Sequence, residues 1–518
     1  MLMNLTIIYR TIDIDMMPRQ FFCLVFAMVL ITTNGVHAQK KVYVPEDLRG
    51  MDLASDTSQW SFQRSIETPD LIFMWEKGFG QDLNHPPLLD GKPMAFRLDN
   101  LRYRAQHFYH FFRDTLGWVK GPSKADRYKM MVMIKYSLDD TAYGGAYDNF
   151  IGALWVTPIR IQDEKMNVIA HELGHSFQSQ IVADSIGMIW GNTGFFDMTC
   201  QWMLWQVNPD WVTDEYYHLD AFRKQTHKAF LHMDYVYHSP YVIQWWSDLH
   251  GRKSIAELFR QARLGEDPAT TYMRMYGLGQ EAFCDEMFRG YQHLVNFDFN
   301  HARHETRPYA CTFDTELEDM GGGWLGPKNL PEGYGFNAIR LDNRVDLNAK
   351  TFKVRVKGDN LRYGFVGVTP DDECIYGAVN NPVLRIPKNM RLRHLYLVVM
   401  GAPQRHDDLK AKTPTTSMRL SGESSINGSS KPLIIVDGNI WEINTKNFDF
   451  SSGNKEKIAE LLKLNPEDIE SINVLKGAAA TYIWGSKGSN GVIEIKTKLG
   501  TSGQLIHLQY PYMFKISH

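Results

Sequence analysis

One ten-residue segment constrains this chain more than any other: Val168-Ile-Ala-His-Glu-Leu-Gly-His-Ser-Phe177. In an α-helix, positions i and i+4 lie one turn apart on the same face, so His171 and His175 can present two imidazoles to one metal ion. Glu172 lies next to them, within reach of a water held at that ion. Two neutral imidazoles and one carboxylate suit zinc and leave a fourth coordination position open. The apolar residues around the motif predict that this helix is buried in a core.

The same residues indicate hydrolytic chemistry. Zinc lowers the pKa of a bound water to about 7, and Glu172 can then act as general base while the water attacks a carbonyl. A match to this pattern can also arise by chance on a buried amphipathic helix. The apolar flanks, a predicted strand from Ala153 to Ile161 and a predicted export signal favour the zinc site.

The motif resembles that of the zincin metallopeptidases, and the resemblance covers about residues 150–205. It departs from the metzincin branch, because Gln178 and Ile181 occupy the positions of that branch's glycine and third histidine. Gluzincins take a carboxylate from a following helix, and Asp197 lies 22 residues after His175, where a second helix is predicted to begin. The resemblance therefore implies Asp197 as third ligand, in an uncharacterised family of exported zincin-like proteins that usually has Glu there. The alternative is that Asp197 caps its helix.

The zincin resemblance also implies a side chain that stabilises the oxyanion, commonly a tyrosine or a histidine further downstream. The segment Leu231–Pro240 offers four candidates, namely His232, Tyr235, Tyr237 and His238. The sequence leaves the choice among them open.

The first 38 residues have the pattern of a secretory signal peptide. Met16-Met-Pro-Arg-Gln20 precedes an apolar run, Phe21–Ile31, and small or neutral residues then lead to a cleavage site after Ala38. Translation is expected to start at Met16 or Met17. The apolar run is shorter than a membrane span of about 20 residues, and no later stretch is long and apolar enough to serve as an anchor. We therefore expect an exported protein with no membrane span in the mature chain.

Residues 432–498 resemble the plug domain of TonB-dependent outer-membrane receptors of the polysaccharide-utilisation type. The resemblance is carried by Pro432-Leu-Ile-Ile-Val-Asp-Gly438, by Leu464–Lys476 and by Ala478–Thr497, whose glycines suit tight turns. A receptor continues into a β-barrel of many strands, whereas only about twenty residues follow here. We therefore expect an accessory module for binding or localisation in a Gram-negative envelope, not a transporter.

Strand and helix patterns predict an α+β multidomain protein with a zincin-like domain, a β-sandwich-like domain and a small α/β plug-like module. Gly144, Gly145 and Gly152 predict a loop before the strand that starts at Ala153. The tail Leu508–Ile516 alternates like a strand and could return to the β-rich domain, which would make the plug-like module an insertion. The predicted boundaries are signal peptide 1–38, zincin-like domain 39–305, β-rich domain 306–403, linker 404–431, plug-like module 432–498 and C-terminal strand or tail 499–518.

Composition excludes other classes of function. A formal net charge of −3 gives no electrostatic case for nucleic acid or an anionic membrane surface as a partner. Five widely spaced cysteines without a CxxC pair predict neither a disulfide scaffold nor a thiolate zinc site.

The leading hypothesis is a zinc metallopeptidase that is periplasmic, outer-membrane-associated or secreted. Its substrate would be a protein, peptide or glycoprotein, and the plug-like module could contact an envelope protein. One alternative is a non-catalytic envelope protein that binds or regulates through the plug-like module. The other is a zinc hydrolase of non-peptide amide bonds.

Overall fold

In the computed structural model, short apolar runs form the centre of a five-stranded mixed sheet. Its strands are β1 (Ser65–Glu67), β2 (Leu71–Trp75), β3 (Met130–Ile134), β4 (Ala142–Tyr147) and β5 (Ile151–Val156), in the order β1-β2-β3-β5-β4. Strands β2, β3 and β5 are parallel and fully buried, as expected where both faces of a sheet are covered. Strand β4 runs antiparallel to β5 at the edge of the sheet.

The structure describes residues 39–184, 190, 194–263, 266–409, 433–436, 439–441, 469–475, 492–497 and 508–517. The predicted signal peptide, most of the predicted linker and most of the plug-like module lie outside these residues. All elements named below belong to one compact unit, residues 41–518. No helix among the described residues is both long enough and apolar enough to cross a membrane.

Nine α-helices occur among the described residues. They are α1 (Leu98–His110), α2 (Asn167–Ala183), α3 (Phe195–Val207), α4 (Trp211–Asp214), α5 (Tyr216–Arg223), α6 (Tyr241–His250), α7 (Lys253–Arg260), α8 (Pro268–Tyr276) and α9 (Gln280–Leu294). Helix α2 carries the His-Glu-x-x-His motif and packs against β4, β5, α1 and α3. Because neighbours cover it on several sides, most of its side chains are buried, as the apolar flanks of the motif predict.

The glycine-rich stretch before β5 is strand β4, so its prediction as a loop was wrong. A Cβ atom on Gly144 would lie 1.9 Å from the carbonyl oxygen of Glu172 and 2.8 Å from the Cβ of His175. A Cβ on Gly152, in β5, would lie 2.8 Å from the carbonyl oxygen of Ser176. These glycines therefore let the two strands approach α2 closely, and they do not mark a turn.

The remaining described strands lie in the C-terminal part of the chain. They are β6 (Leu317–Gly321), β7 (Trp324–Pro327), β8 (Phe336–Arg340), β9 (Thr351–Lys357), β10 (Leu361–Val368), β11 (Cys374–Tyr376), β12 (Val383–Arg385), β13 (His394–Gly401), β14 (Leu433–Val436), β15 (Asn439–Trp441), β16 (Ile469–Leu475), β17 (Val492–Thr497) and β18 (Met513–Ser517).

Two antiparallel sheets share a second hydrophobic core. Their orders are β11-β10-β13-β8 and β12-β9-β18-β7-β6. The core between them contains Phe352, Phe365, Leu397 and Phe514, from one sheet or the other. Strand β18 lies between β9 and β7, so the chain leaves this pair of sheets after β13 and returns to it with its last strand.

A fourth sheet has the order β15-β14-β17-β16 and lies within the plug-like segment. Strands β14 and β17 are parallel, and Ile434, Ile435, Ile493 and Ile495 on them are buried. The described part of the chain is thus a mixed α/β structure with several sheets.

Candidate metal centre

Helices α2 and α3 bring together His171, His175 and Asp197. One ligand atom from each lies within 4.8 Å of the other two. Asp197 Oδ1 is 3.7 Å from His171 Nε2 and 3.3 Å from His175 Nε2. Atoms that share one tetrahedral zinc ion, at roughly 2.0–2.2 Å each, lie about 3.3–3.6 Å from one another. The donor set and its spacing therefore fit a zinc ion.

Asp197 does not cap its helix. The N-cap position of α3 is Gly194, without a side-chain capping bond, and Asp197 is the third residue of the helix, within its first turn. Burial alone would raise the pKa of the Asp197 carboxyl, but its hydrogen bonds to His171 and His175 hold that pKa well below its usual range. The carboxylate is thus ionised and directed at the two imidazoles, so the N-cap alternative was wrong.

Two glutamines form hydrogen bonds with the imidazole Nδ1 atoms, which are the ring nitrogens that do not face Asp197. Neither glutamine was predicted from the sequence as a partner of the histidines. His171 Nδ1 is 3.1 Å from Gln201 Oε1, and His175 Nδ1 is 2.9 Å from Gln178 Oε1. Gln178 follows His175 by three residues on one helix, which is a signal that the sequence contains. Gln201 lies on α3, and its contact with His171 depends on how the two helices pack.

The backbone fixes which end of each glutamine faces its histidine. Gln201 Nε2 donates to the carbonyl oxygen of Tyr237 at 2.7 Å, and Gln178 Nε2 donates to that of Phe196 at 3.0 Å. Each Oε1 is therefore left to accept a hydrogen bond from its histidine's Nδ1–H. A neutral imidazole protonated at Nδ1 carries its lone pair on Nε2, and this is the form that binds a metal ion.

Glu172 lies beside this cluster on α2 and is only 8% exposed. Burial opposes a positive charge on His175, but the neighbouring Cys200, Asp197 and Glu172 side chains raise the pKa of that imidazole well above its ordinary value, so a metal ion would bind at Nε2 in exchange for a proton. Glu172 also borders a cavity of about 150 Å³ that includes His171 in its wall. The predicted general base is therefore next to both the cluster and an open space.

Of the four oxyanion candidates, Tyr237 is the one that the structure places at the cluster. It lies in a short 3₁₀ segment, Met233–His238, and borders the same cavity as Glu172. Its ring centroid is 5.9 Å from that of His171. Burial, the negative charge of Asp197 and a hydrogen bond to Asp197 raise the pKa of the Tyr237 hydroxyl to about 12. The hydroxyl therefore keeps its proton at neutral pH and remains a hydrogen-bond donor.

The other three candidates make different contacts. His232 Nδ1 accepts a hydrogen bond from the backbone amide of Asp234. The buried Tyr235 hydroxyl donates to the carbonyl oxygen of Ala229. His238 Nδ1 lies 2.5 Å from Nδ1 of His218.

Two curated relatives are TonB-dependent receptors. The chain is 43% identical over 93 residues to the TonB-dependent receptor SusC of Bacteroides thetaiotaomicron, which is 18% of this chain and 8% of the receptor. It is 38% identical over 167 residues to the TonB-dependent receptor P26 of Formosa agariphila, which is 32% of this chain and 14% of the receptor. The chain thus spans less than a sixth of either relative, and the predicted resemblance of one segment to these receptors is confirmed.

Two solved metallopeptidase structures show weak similarity. The ZmpB metallopeptidase from Clostridium perfringens has a TM-score of 0.28 and 13% identity over 66% of this chain and 67% of that one. A metallopeptidase in complex with Tn antigen has a TM-score of 0.25 and 11% identity over 67% of this chain and 71% of that one. TM-scores of this size do not establish a shared fold.

One family model matches residues 34–419, about three quarters of the chain. The matched range begins before the first sheet, ends beyond β13 and includes His171, Glu172, His175 and Asp197. The chain therefore belongs to DUF6055, which is described as a family of unknown function.

Proposed function

We propose that this protein is an exported zinc metallopeptidase of gluzincin type. His171, His175 and Asp197 would hold the zinc ion, and Glu172 would act as general base. The observation that carries this proposal is the cluster itself, in which three ligand atoms lie within 4.8 Å of one another while both Nδ1 atoms are engaged elsewhere.

The roles of the chain's own groups follow from their positions. When bound, zinc supplies Lewis-acid polarisation of a substrate carbonyl and lowers the pKa of water. Glu172 would accept a proton from the attacking water and deliver it to the leaving amine. The Tyr237 hydroxyl, which keeps its proton at neutral pH, would donate a hydrogen bond to the oxygen on which negative charge develops.

The edge of the first sheet favours a peptide as substrate over a non-peptide amide. Strand β4 ends the sheet, and its outer edge pairs with no other strand in the part of the chain that the structure describes. An extended peptide can add to such an edge through main-chain hydrogen bonds. Because the backbone of Gly144 lies against Glu172 and His175, a peptide bound there would pass the metal cluster.

The plug-like module, residues 432–498, would serve binding or localisation in a Gram-negative envelope. Its likeness to TonB-dependent receptors supports this role. The module would contact an envelope protein, while hydrolysis of a protein, peptide or glycoprotein would take place at the zinc site.

The test uses the chain without its predicted signal peptide. We expect about one zinc ion per chain, because three ligands form a single site. His171→Ala should abolish zinc binding, whereas Glu172→Gln should leave zinc content and melting temperature nearly unchanged. Turnover of a mixed peptide and glycoprotein panel should fall by about 10²–10⁴-fold in Glu172→Gln.

The exposed Glu164 offers a matched control, because Glu164→Gln removes the same charge away from the cluster. Equal zinc content in the wild type and in His171→Ala would refute the ligand assignment. A wild-type protein that binds zinc and cleaves nothing in the panel would favour the non-catalytic envelope protein.

A further inference from the structure

The cavity beside Glu172 is lined by His171 and Glu172 and also by residues outside the metal cluster. Its volume is about 150 Å³, and its lining also includes Arg160, Glu215, Tyr217 and His218. Pockets for drug-sized ligands are larger, about 300–1,000 Å³. A cavity of this size suits one side chain or one terminal group of a substrate whose scissile bond lies at the cluster.

Arg160 has hydrogen-bonding capacity that the protein does not use. It ends a 3₁₀ turn after β5, and its side chain makes one hydrogen bond among the described residues, from Nη1 to Asp140 Oδ1 at 3.4 Å. Charge-assisted hydrogen bonds are shorter, at about 2.7–2.9 Å, and the Asp140 side chain is 74% exposed, so solvent weakens this pair.

Glu215 also lines the cavity, and both of its carboxylate oxygens already accept hydrogen bonds from the protein. Its Oε1 accepts from Asn167 Nδ2 at 2.9 Å, and its Oε2 accepts from Trp211 Nε1 at 2.8 Å. His218 Nε2 lies 3.3 Å from the same Oε2. Three neighbours thus compensate the charge of Glu215, while among the described residues the charge of Arg160 is compensated by one exposed acid, Asp140.

We propose that Arg160 forms a subsite for a carboxylate of the substrate next to the scissile bond. A planar guanidinium binds a carboxylate through two parallel hydrogen bonds, which a neutral amide cannot reproduce. Tyr217 lies at the exposed side of the cavity, where its ring can cover the aliphatic part of an acidic side chain. This inference rests on the proposed peptidase function and specifies its substrate class as acidic peptides.

Binding and cleavage test the proposal separately. Peptides that differ only in Glu or Gln at one of the positions next to the scissile bond are titrated into Glu172→Gln protein by calorimetry. Each peptide is prepared with a free and with an amidated C-terminus, which distinguishes a side-chain carboxylate from a terminal one. We expect carboxylate-bearing peptides to bind about tenfold tighter or more, as for hydrogen bonds to charged groups, with a preference that weakens in salt.

Three further substitutions, each added to the Glu172→Gln protein, test whether Arg160 causes the preference for the carboxylate. Arg160→Gln should abolish the preference for the carboxylate, and Arg160→Lys should retain part of it, because it keeps the charge but not the planar fork. Arg252→Gln removes the same charge from an exposed position outside the cavity and should retain the full preference.

Equal binding of the Glu and Gln peptides, or an unchanged preference in Arg160→Gln, would overturn the subsite. The same peptide pairs are offered to the otherwise wild-type enzyme for cleavage. Selective binding without cleavage would reject the peptidase function and would still support a carboxylate subsite, so the two failures are distinguishable. The paired comparison needs no Arg160 variant, and it therefore remains decisive if Arg160→Gln does not fold.

Discussion

His171 and His175 can bind a metal ion only while each presents the lone pair of its Nε2. Gln201 and Gln178 favour that state, because each turns its Oε1 to a histidine while its Nε2 is held by a backbone carbonyl. Partners of this kind typically change metal affinity by about 10–100-fold when they are removed. At the scale of single residues, metal affinity is thus expected to depend on the two glutamines as well as on the three ligands.

Substitution of Gln178 tests this dependence. Gln178→Leu removes the acceptor for His175 Nδ1, so zinc affinity, measured by competition with a chromophoric chelator, should fall by about 10–100-fold. Gln178→Glu keeps an acceptor for Nδ1 but loses the donor to the carbonyl oxygen of Phe196, so it should recover only part of the affinity. Wild-type affinity in Gln178→Leu would show that the hydrogen bond does not orient the ligand.

Helical periodicity identifies side chains that share one face of a helix, whereas contacts between helices depend on how the helices pack. His171, Glu172 and His175 follow from helical periodicity alone, whereas Asp197 was implied only by the resemblance to gluzincins. The contacts of Gln201 with His171 and with Tyr237 depend on how α2, α3 and the 3₁₀ segment pack. No local pattern encodes that packing, so the choice of Tyr237 among four candidates also required the structure.

At the scale of elements, the approach of β4 to α2 determines where the cluster lies. Gly144 permits this approach, because any larger side chain would meet the backbone of Glu172. In the sequence the same glycine predicted a loop, since glycine is frequent in turns and rare in strand interiors. A glycine that serves close packing has no signature that distinguishes it from a glycine in a turn.

The pair Gly144 and Gly145 provides a matched test of this packing. Gly144→Ala would place a Cβ 1.9 Å from a backbone oxygen, whereas a Cβ at Gly145 would meet only Trp155, at 3.8 Å. We expect Gly144→Ala to lower the free energy of unfolding by about 1–3 kcal/mol or more and to reduce zinc affinity. Gly145→Ala should leave both nearly unchanged. Denaturant titration and zinc competition measure the two effects, and equal behaviour of the two variants would contradict the close packing.

At the scale of the whole molecule, the last strand belongs to the two antiparallel sheets that share the second hydrophobic core, called the β-domain below, and not to the fourth sheet. Strand β18 pairs with β9 along its whole length, and Phe514 is completely buried between the two sheets. The alternation of the tail indicated a strand, but the pairing with β9 spans more than 150 residues of chain, so no local pattern could determine it.

The chain leaves and re-enters the β-domain at neighbouring points. Glu332 forms an isolated bridge with Gln509, and a Cβ on the next residue, Gly333, would lie 2.8 Å from the side chain of Leu409. Leu409 and Gln509, described residues on either side of residues 410–507, are therefore close together. A short flexible linker can join these two residues at a small entropic cost, because loop-closure entropy changes slowly with length.

Two deletions distinguish the contribution of the plug-like module to stability from that of strand β18. Replacement of residues 410–507 by a short Gly/Ser linker should preserve zinc binding and the melting temperature, because β18 keeps its place. A chain that ends at Leu409 loses β18 and with it Phe514, and loss of a buried Phe side chain alone costs about 3–5 kcal/mol. It would also expose the edges of β7 and β9, which invites aggregation. Scanning calorimetry and limited proteolysis should therefore show a stable internal deletion and an unfolded β-domain in the truncated chain. Loss of zinc from a folded internal-deletion variant would mean that residues 410–507 support the metal centre directly.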